Sequence, residues 1–232
     1  MTDLATNDRS RLPKGAITAG GIVSLAAFGA AIYLLRETRV EQPDYTVVER
    51  DGAVEIRDYP ALLVAETVTI GSRERALGDG FSRLADYIFG KDRGGSDAAS
   101  DRRDGKIAMT APVLSDGGGQ EWRTRFVMPD RYTRATLPPT GEQVDIADVP
   151  ARRVAVIRFS GMADDTELYA HERRLRGWMA DRGLAAGATV YAFYNSPFMP
   201  GPLRRNEVMI AIESSDAADS DNAVQPGIDT GG

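Results

Sequence analysis

The sequence contains the stretch VEIRDYPALLVAETVTIG, from Val54 to Gly71, and repeats its pattern 90 residues later as VDIADVPARRVAVIRFSG, from Val144 to Gly161. Eight of the eighteen aligned positions are identical. Each copy is typical of a short strand, a turn at Asp-x-Pro-Ala and a second strand that ends in glycine, because proline and glycine punctuate runs of strand-forming residues. The repeat therefore predicts a domain built from two similar halves.

A helical pattern follows each copy, over about residues 72–89 and 164–181, where apolar residues recur at three- and four-residue spacing. Two strand-like stretches follow each helix: KIAMTAPVL and WRTRFVMP, then TVYAFYNSPF and EVMIAI. The first of each pair is broken by proline, at Pro112 and Pro197. With YTVVER as a leading strand, the pattern predicts an α+β fold of two ββαββ units, whose antiparallel sheet wraps toward a barrel with two helices outside.

The composition excludes several classes of function. The formal net charge of -6 argues against a nucleic-acid partner, since phosphate binding needs a positive field. The chain has no cysteine, which removes disulfides, thiolate nucleophiles and iron–sulfur clusters. A single histidine, His171, excludes a metal site with two histidine ligands in one chain.

The N-terminal region contains an uncharged run, GAITAGGIVSLAAFGAAIYLL, at residues 15–35. At about 1.5 Å rise per residue, such a helix spans roughly 30 Å, the thickness of a bilayer core. A cleaved signal peptide is the rival interpretation, but no small-x-small cleavage site follows, so we expect a single-pass transmembrane anchor. The cations at Arg9, Arg11 and Lys14 precede the run and weakly place the following domain outside the cytoplasm, on the periplasmic or extracellular side.

The remaining boundaries follow from composition. Residues 1–14 are polar and predicted to be disordered, and residues 214–232 form a predicted disordered tail with four aspartates and no cation. One domain then extends over residues 44–213, which is long enough for a single good core.

One loop carries the most informative chemistry, the stretch YNSPFMPGPLRRNEV from Tyr194 to Val208. Apolar residues stand where a solvent loop would carry polar ones, and Arg204 and Arg205 follow them. A flat apolar ligand with carboxylates would suit this pattern, because guanidinium groups pair carboxylates through two hydrogen bonds. The alternative is that the apolar side chains fold back onto the sheet and the arginines are solvated.

His171 lies on the apolar stripe of the second predicted helix. A histidine there is either a boundary residue bonded to a neighbour or an axial ligand to a haem iron. Motif searches add no phosphate loop, serine elbow or paired carboxylates.

At these residues the chain resembles the SOUL haem-binding protein family, through GKIAMTAPV, YNSPFMPGPLRRNEV and YTVVERDGAVEIRDYP, over about residues 45–212. The resemblance implies a distorted antiparallel β-barrel with two flanking helices, and non-covalent binding of haem or another tetrapyrrole. The family's cleft lies between the first helix and the loop joining the last two strands, and His171 resembles a position outside it. Carried onto this sequence, the cleft residues are Leu77, Phe81, Leu84, Ile88, Phe198, Met199, Leu203, Arg204 and Arg205, the arginines being placed to meet propionates.

Our expectation is a membrane-anchored tetrapyrrole carrier or buffer rather than an enzyme, since no acid/base pair is recognisable. His171 remains a candidate axial ligand. The family also resembles small-molecule effector-binding modules of bacterial regulators that favour apolar cations, so a sensor for another amphipathic ligand is the alternative, with Glu207 as counter-ion. A tetrapyrrole-modifying enzyme is a third interpretation. The oligomeric state stays open.

Overall fold

The computed structural model describes residues 40–91, 106–196 and 199–213. After a leading strand, the described elements follow the order ββαββ twice. The strands are β1 Thr46–Asp51, β2 Val54–Tyr59, β3 Leu62–Ile70, β4 Val113–Gly118, β5 Glu121–Val127, β6 Asp145–Val149, β7 Arg152–Ser160, β8 Ala186–Phe193 and β9 Arg205–Ile212; the helices are α1 Arg73–Ile88 and α2 Asp165–Ala180, with a short 3-10 turn at Gly201–Leu203.

The nine strands form one sheet in the order β1-β2-β7-β9-β8-β4-β5-β3-β6, and its eight strand pairs are all antiparallel. If each strand from β2 to β6 is replaced by its counterpart in the other half, the same order is read in reverse. The predicted pseudo-twofold relation is therefore present, with its axis between β4 and β8. The predicted barrel is not closed, because no pair joins the end strands β1 and β6 within the described ranges.

The two Asp-x-Pro-Ala segments do not join paired strands, as the turns predicted from the sequence would. Strand β2 pairs with β7, and β3 pairs with β6, so the first strand of each half pairs with the second strand of the other half. Tyr59 pairs with Arg152, and Leu62, three residues later, pairs with Val149, three residues before Arg152, so the antiparallel register is unchanged. The strand pairs β2/β7 and β3/β6 therefore form one bent two-stranded ribbon. The two ends of the sheet are joined by covalent backbone at the bends, and not by hydrogen bonds between strands.

The sheet curls around one apolar face, here called the inner face. Val154 and Val156 of β7 share a core cluster with Leu62 and Val64 of β3, although these strands are far apart in the sheet order. Such a cluster forms only if the sheet bends back on itself. The inner face is filled by its own side chains, including Leu114, Val127, Ala192 and Met209.

The two helices cover the outer face. Leu168, Leu175 and Met179 of α2 pack with β7 residues Ala155 and Ile157, which alternate with the inner-face valines. This explains why four consecutive residues of β7 are buried. Helix α1 packs on β3 and β5 through a third cluster, which holds Leu84, Tyr87, Ile88, Ala65 and Phe126.

Pro112 does not break a strand as the sequence predicted. It lies just before β4, and residues 106–109 are not a strand, although Ile107 is buried against α1. Pro197, the other predicted break, lies outside the described residues.

No helix within the described ranges is both long and apolar enough to cross a bilayer. The predicted anchor at residues 15–35, the N-terminus before it and the tail at 214–232 lie outside the described residues.

Candidate functional site

The loop between β8 and β9 folds onto the end of β7. The amide of Gly161 donates to the carbonyl of Gly201 at 3.1 Å, which fixes the 3-10 turn against the strand end. Met199 is 3% exposed, whereas Leu203 is 57% exposed. Phe198, a predicted site residue, lies outside the described residues. The loop therefore does both things that the sequence left open: one apolar side chain folds back, and another stays at the surface.

Arg204 is held beside a second exposed apolar residue. Its Nε donates to the carbonyl of Met199 at 2.8 Å, and its Nη1 lies 3.4 Å from the sulfur of Met162. Met162 is 59% exposed and follows β7 by two residues. Met162, Leu203 and Arg204, here called the loop surface, thus place two exposed apolar side chains near one guanidinium.

Arg205 points to the protein rather than to solvent. Its Nε and Nη2 both donate to Oε1 of Glu207, at 3.0 and 2.8 Å, and its guanidinium lies 3.7 Å from the ring centroid of Tyr194. Its remaining Nη1 donates to Gln42 at 3.2 Å. The structure therefore separates the two neighbouring arginines: Arg204 belongs to the loop surface, and Arg205 to a buried charge network.

Glu207 is the centre of that network and is fully buried. Besides Arg205, Arg57 donates to both of its carboxylate oxygens, at 2.8 and 3.1 Å, and the Tyr194 hydroxyl donates at 2.8 Å. Burial raises the pKa of Glu207, but hydrogen bonds and charge from Arg57 and Arg205 outweigh it, so that its pKa is lowered. The carboxylate is therefore ionised and already neutralised by two cations.

The segment before β1 covers this network. Tyr45 stacks over Arg57, with the guanidinium carbon 4.3 Å from the ring centroid, and lies 5.1 Å from the ring of Tyr59. The carbonyl of Glu41 accepts from the amide of Ala111 at 2.9 Å. Residues 40–45 thus close one end of the inner face.

The predicted helix residues fall in two groups. Arg73, the first residue of α1, donates to the carbonyl of Ala163 and pairs with Asp165, so this end of α1 is near Met162. Leu77, one turn further on, is half-buried. Leu84 and Ile88 lie roughly 16 and 22 Å along the axis from Arg73 and are buried against the sheet, with half-buried Phe81 beside them. Of these four residues, Leu77 lies nearest the loop surface along the helix.

His171 is half-buried on α2. Its Nδ1 is 2.8 Å from the carbonyl of Glu167, and its ring stacks on Phe159 at a centroid distance of 4.0 Å. Both contacts match the boundary role that the sequence left as one alternative.

These residues fit an amphipathic planar ligand at the loop surface better than a buried one. The inner face is filled, and its end is occupied by the Glu207 network, so a haem has no space there. The loop surface offers exposed apolar atoms and a guanidinium, which suit a ring edge and a propionate. Within the described ranges no group of three or more metal-binding side chains comes together.

Sequence reasoning missed two residues of this region. Met162 directly follows the glycine that ends the second repeat copy. An apolar residue just after a strand end was the available signal in the sequence. Arg57 lies 150 residues from its partner Glu207, and no local pattern links them.

The family model described as SOUL heme-binding protein matches residues 40–211. This match covers most of the chain, and the chain belongs to the SOUL haem-binding protein family. The sequence resemblance is therefore confirmed, and haem is the cofactor that characterises the family. No curated protein matches the chain significantly.

Two solved structures with TM-scores above 0.5 share the fold at low identity. The C-terminal domain of EcmrR is 10% identical with a TM-score of 0.53; the alignment covers 73% of this chain and 98% of that domain. EcmrR in a DNA complex is 11% identical, also with a TM-score of 0.53, over 84% of this chain and 68% of that one. A hydrolase from Listeria innocua is 13% identical with a TM-score of 0.48, over 72% of this chain and 94% of that one.

Proposed function

We propose that the protein binds haem or a related tetrapyrrole non-covalently at the loop surface and acts as a carrier or buffer. Family membership over residues 40–211 carries this proposal. A bound haem would supply its own iron chemistry, and the chain's part is to hold an amphipathic ring.

The loop surface supports the proposal through its chemistry. Met162 and Leu203 would cover part of the ring, and the Arg204 guanidinium would pair a propionate. Arg205 would contribute only after leaving Glu207, to which it donates twice. In the observed contacts Arg205 instead fixes the root of the loop, because its backbone amide also donates to Oδ1 of Asn195 at 2.7 Å.

The alternative is a sensor that binds an apolar cation near Glu207. Two arginines already neutralise this carboxylate, and it is fully buried. A cationic ligand would have to displace a guanidinium, so the observed contacts favour an anionic amphipathic ligand over a cationic one.

The predicted N-terminal anchor would hold this domain at a membrane, outside the cytoplasm. Protease added to spheroplasts would test the side, since protection of the domain there would contradict both a periplasmic and an extracellular location.

A haemin titration tests the binding proposal. The full chain should give a saturable Soret shift, and Arg204→Gln should weaken binding about ten-fold, because a charge-assisted hydrogen bond contributes about 1.5–3 kcal/mol. Arg173→Gln is the matched control: it removes an exposed cation of α2 and should leave affinity unchanged. The absence of a saturable shift in the unmodified chain would refute haem binding.

The same titration tests His171. Its ring is already stacked on Phe159, and its Nδ1 lies against a backbone carbonyl, so His171→Phe should leave the Soret position unchanged. A displaced Soret band in this variant would instead identify His171 as the axial ligand.

A further inference from the structure

A second candidate site lies at the corner of the bent ribbon, away from the loop surface. A groove of about 500 Å³ opens there. Its lining includes Asp58, Tyr59, Arg152, Arg153, Ile212 and Glu213. This volume lies in the range of small-molecule sites.

Arg152 is the unusual residue of the groove. It is half-buried, yet its guanidinium makes no hydrogen bond or ion pair within residues 40–91, 106–196 and 199–213. The neighbouring Arg153, by contrast, pairs with Asp58 through two hydrogen bonds, at 2.7 and 2.8 Å. Half-buried guanidinium groups usually have acceptors, so Arg152 leaves donors available in a cavity.

The charges beside Arg152 are unbalanced. Arg125 donates to Glu66 at 2.9 Å and to Asp116 at 2.5 Å, and Arg123 lies 3.9 Å from both of these carboxylates. With Arg152, the cluster holds three cations and two anions. The Nε of Arg123 is buried and has no hydrogen-bond partner among the described residues. Among these five side chains the cations therefore outnumber the anions by one, although the carboxylates of Asp58 and Glu213 also line the groove.

The ionisation of Arg152 agrees with this imbalance. Burial lowers the pKa of Arg152 first, and the positive charge of Arg125 lowers it further. The Asp116 carboxylate already offsets part of this lowering, and a further anion beside the guanidinium would raise the pKa of Arg152 toward its ordinary value.

The rim of the groove restricts the ligand. Asp58 and Glu213 would repel a multiply charged anion, although Arg153 compensates Asp58. The Tyr59 ring and Ile212 offer apolar contact. We propose that this groove binds a small monocarboxylate, whose carboxylate pairs with Arg152 and whose alkyl part lies against Tyr59 and Ile212.

Butyrate is the probe for this site, measured with the full chain in the absence of haemin and at constant ionic strength. The thermal midpoint should rise saturably with butyrate, because a ligand that binds the folded state stabilises it. Butan-1-ol, which has a similar alkyl part but no charge, should give no saturable rise. Absence of a saturable rise with butyrate would overturn the proposal, as would an equal effect of butan-1-ol.

Two arginine variants identify the residue. Arg152→Gln should weaken butyrate binding about ten-fold or more, the loss expected for a charge-assisted hydrogen bond. Arg158→Gln is the matched control, since it removes an exposed cation from the same strand and should keep the affinity. Equal butyrate effects in the two variants would overturn the site.

A conservative variant keeps the test decisive if Arg152→Gln folds poorly. Arg152→Lys keeps the charge but loses the planar fork, so butyrate affinity should fall while the midpoint without butyrate is maintained. Unchanged butyrate affinity in Arg152→Lys would contradict the proposed pairing of the carboxylate with the planar guanidinium. Since haemin is absent throughout, the outcome does not depend on tetrapyrrole binding.

Discussion

Glu207 shows how much one buried carboxylate organises in this fold. It accepts hydrogen bonds from Arg57, Arg205 and Tyr194, which come from strands β2 and β9 and from the loop between β8 and β9. One side chain thus ties strand β2, 150 residues away, to β9 and the loop before it. Burial raises the pKa of the Tyr194 hydroxyl well above its ordinary value, so this hydroxyl stays a neutral donor.

Glu207→Gln should therefore be strongly destabilising. It leaves Arg205 near the inner face without its counter-charge and Arg57 with only Glu55, and breaking a buried ion pair from one side costs about 3–5 kcal/mol. Urea unfolding measures the change. Glu142→Gln, at an exposed position, should alter the free energy of unfolding by less than about 0.5 kcal/mol. A small effect of Glu207→Gln would mean that the arginines find other acceptors.

The difference in the free energy of unfolding between the unmodified chain and Glu207→Gln should depend on pH. In the folded protein the pKa of Glu207 lies below its ordinary value of 4.5. The stabilisation that its ionised carboxylate gives the folded state is therefore present above pH 4.5 and is lost as the pH falls toward the folded pKa. The difference in stability between the unmodified chain and Glu207→Gln should therefore shrink on acidification below about pH 4.5. A constant difference at low pH would contradict this assignment.

At the level of elements, α1 is fitted closely to β5 at one glycine. A Cβ added at Gly80 would lie 2.5 Å from Oγ1 and 2.8 Å from Cβ of Thr124, whereas at Gly78 it would meet nothing within 4 Å. Gly80 is buried, and Gly78 is exposed. Two glycines of one helix thus have opposite surroundings.

The two glycines give a matched prediction. Gly78→Ala should stabilise the protein by about 0.5–1 kcal/mol, since alanine favours the helix. Gly80→Ala should destabilise it by about 1–3 kcal/mol, because α1 must move away from Thr124. Chemical denaturation compares them directly. Equal stabilisation by both changes would show that α1 has room to shift on β5.

The elements differ in how far the sequence predicted them. Both helices were predicted within one or two residues, because their apolar residues recur at helical spacing over sixteen residues. The corners at Pro60 and Pro150 were interpreted as hairpin turns, since proline followed by alanine between two strands gives the same local signal. Strand partners depend on residues about ninety positions away, which local patterns do not report.

The site was predicted unevenly for a similar reason. The loop with Arg204 and Arg205 was visible because apolar and cationic residues are adjacent in the sequence. Their partners Gln42 and Met162 were not visible, since these two residues reach the arginines through the fold. Leu84 and Ile88 remain predicted cleft residues, although both pack against the sheet.

At the level of the whole molecule, the shared ribbon makes the two halves dependent on each other. Each half lends its first strand to the other, so neither half has a complete sheet alone. Trp122 lies in the first half and Trp178 in the second, which provides one fluorescent probe in each.

We therefore expect one cooperative unfolding transition. In Trp178→Phe, which retains Trp122, the fluorescence midpoint in urea should coincide with the midpoint from circular dichroism, and the same should hold in Trp122→Phe. Comparing two signals within each variant removes any effect of the substitution on stability. Separate midpoints in either variant would show that one half unfolds without the other.

The constant register through the corner also constrains how such sequences can change in length. One residue inserted between Tyr59 and Leu62 would shift the following strand by one place and exchange its buried and exposed faces. An insertion of equal length between Val149 and Arg152 would restore the pairing of β3 with β6 and of β2 with β7. Among homologues, insertions and deletions at these two corners should therefore occur together or not at all.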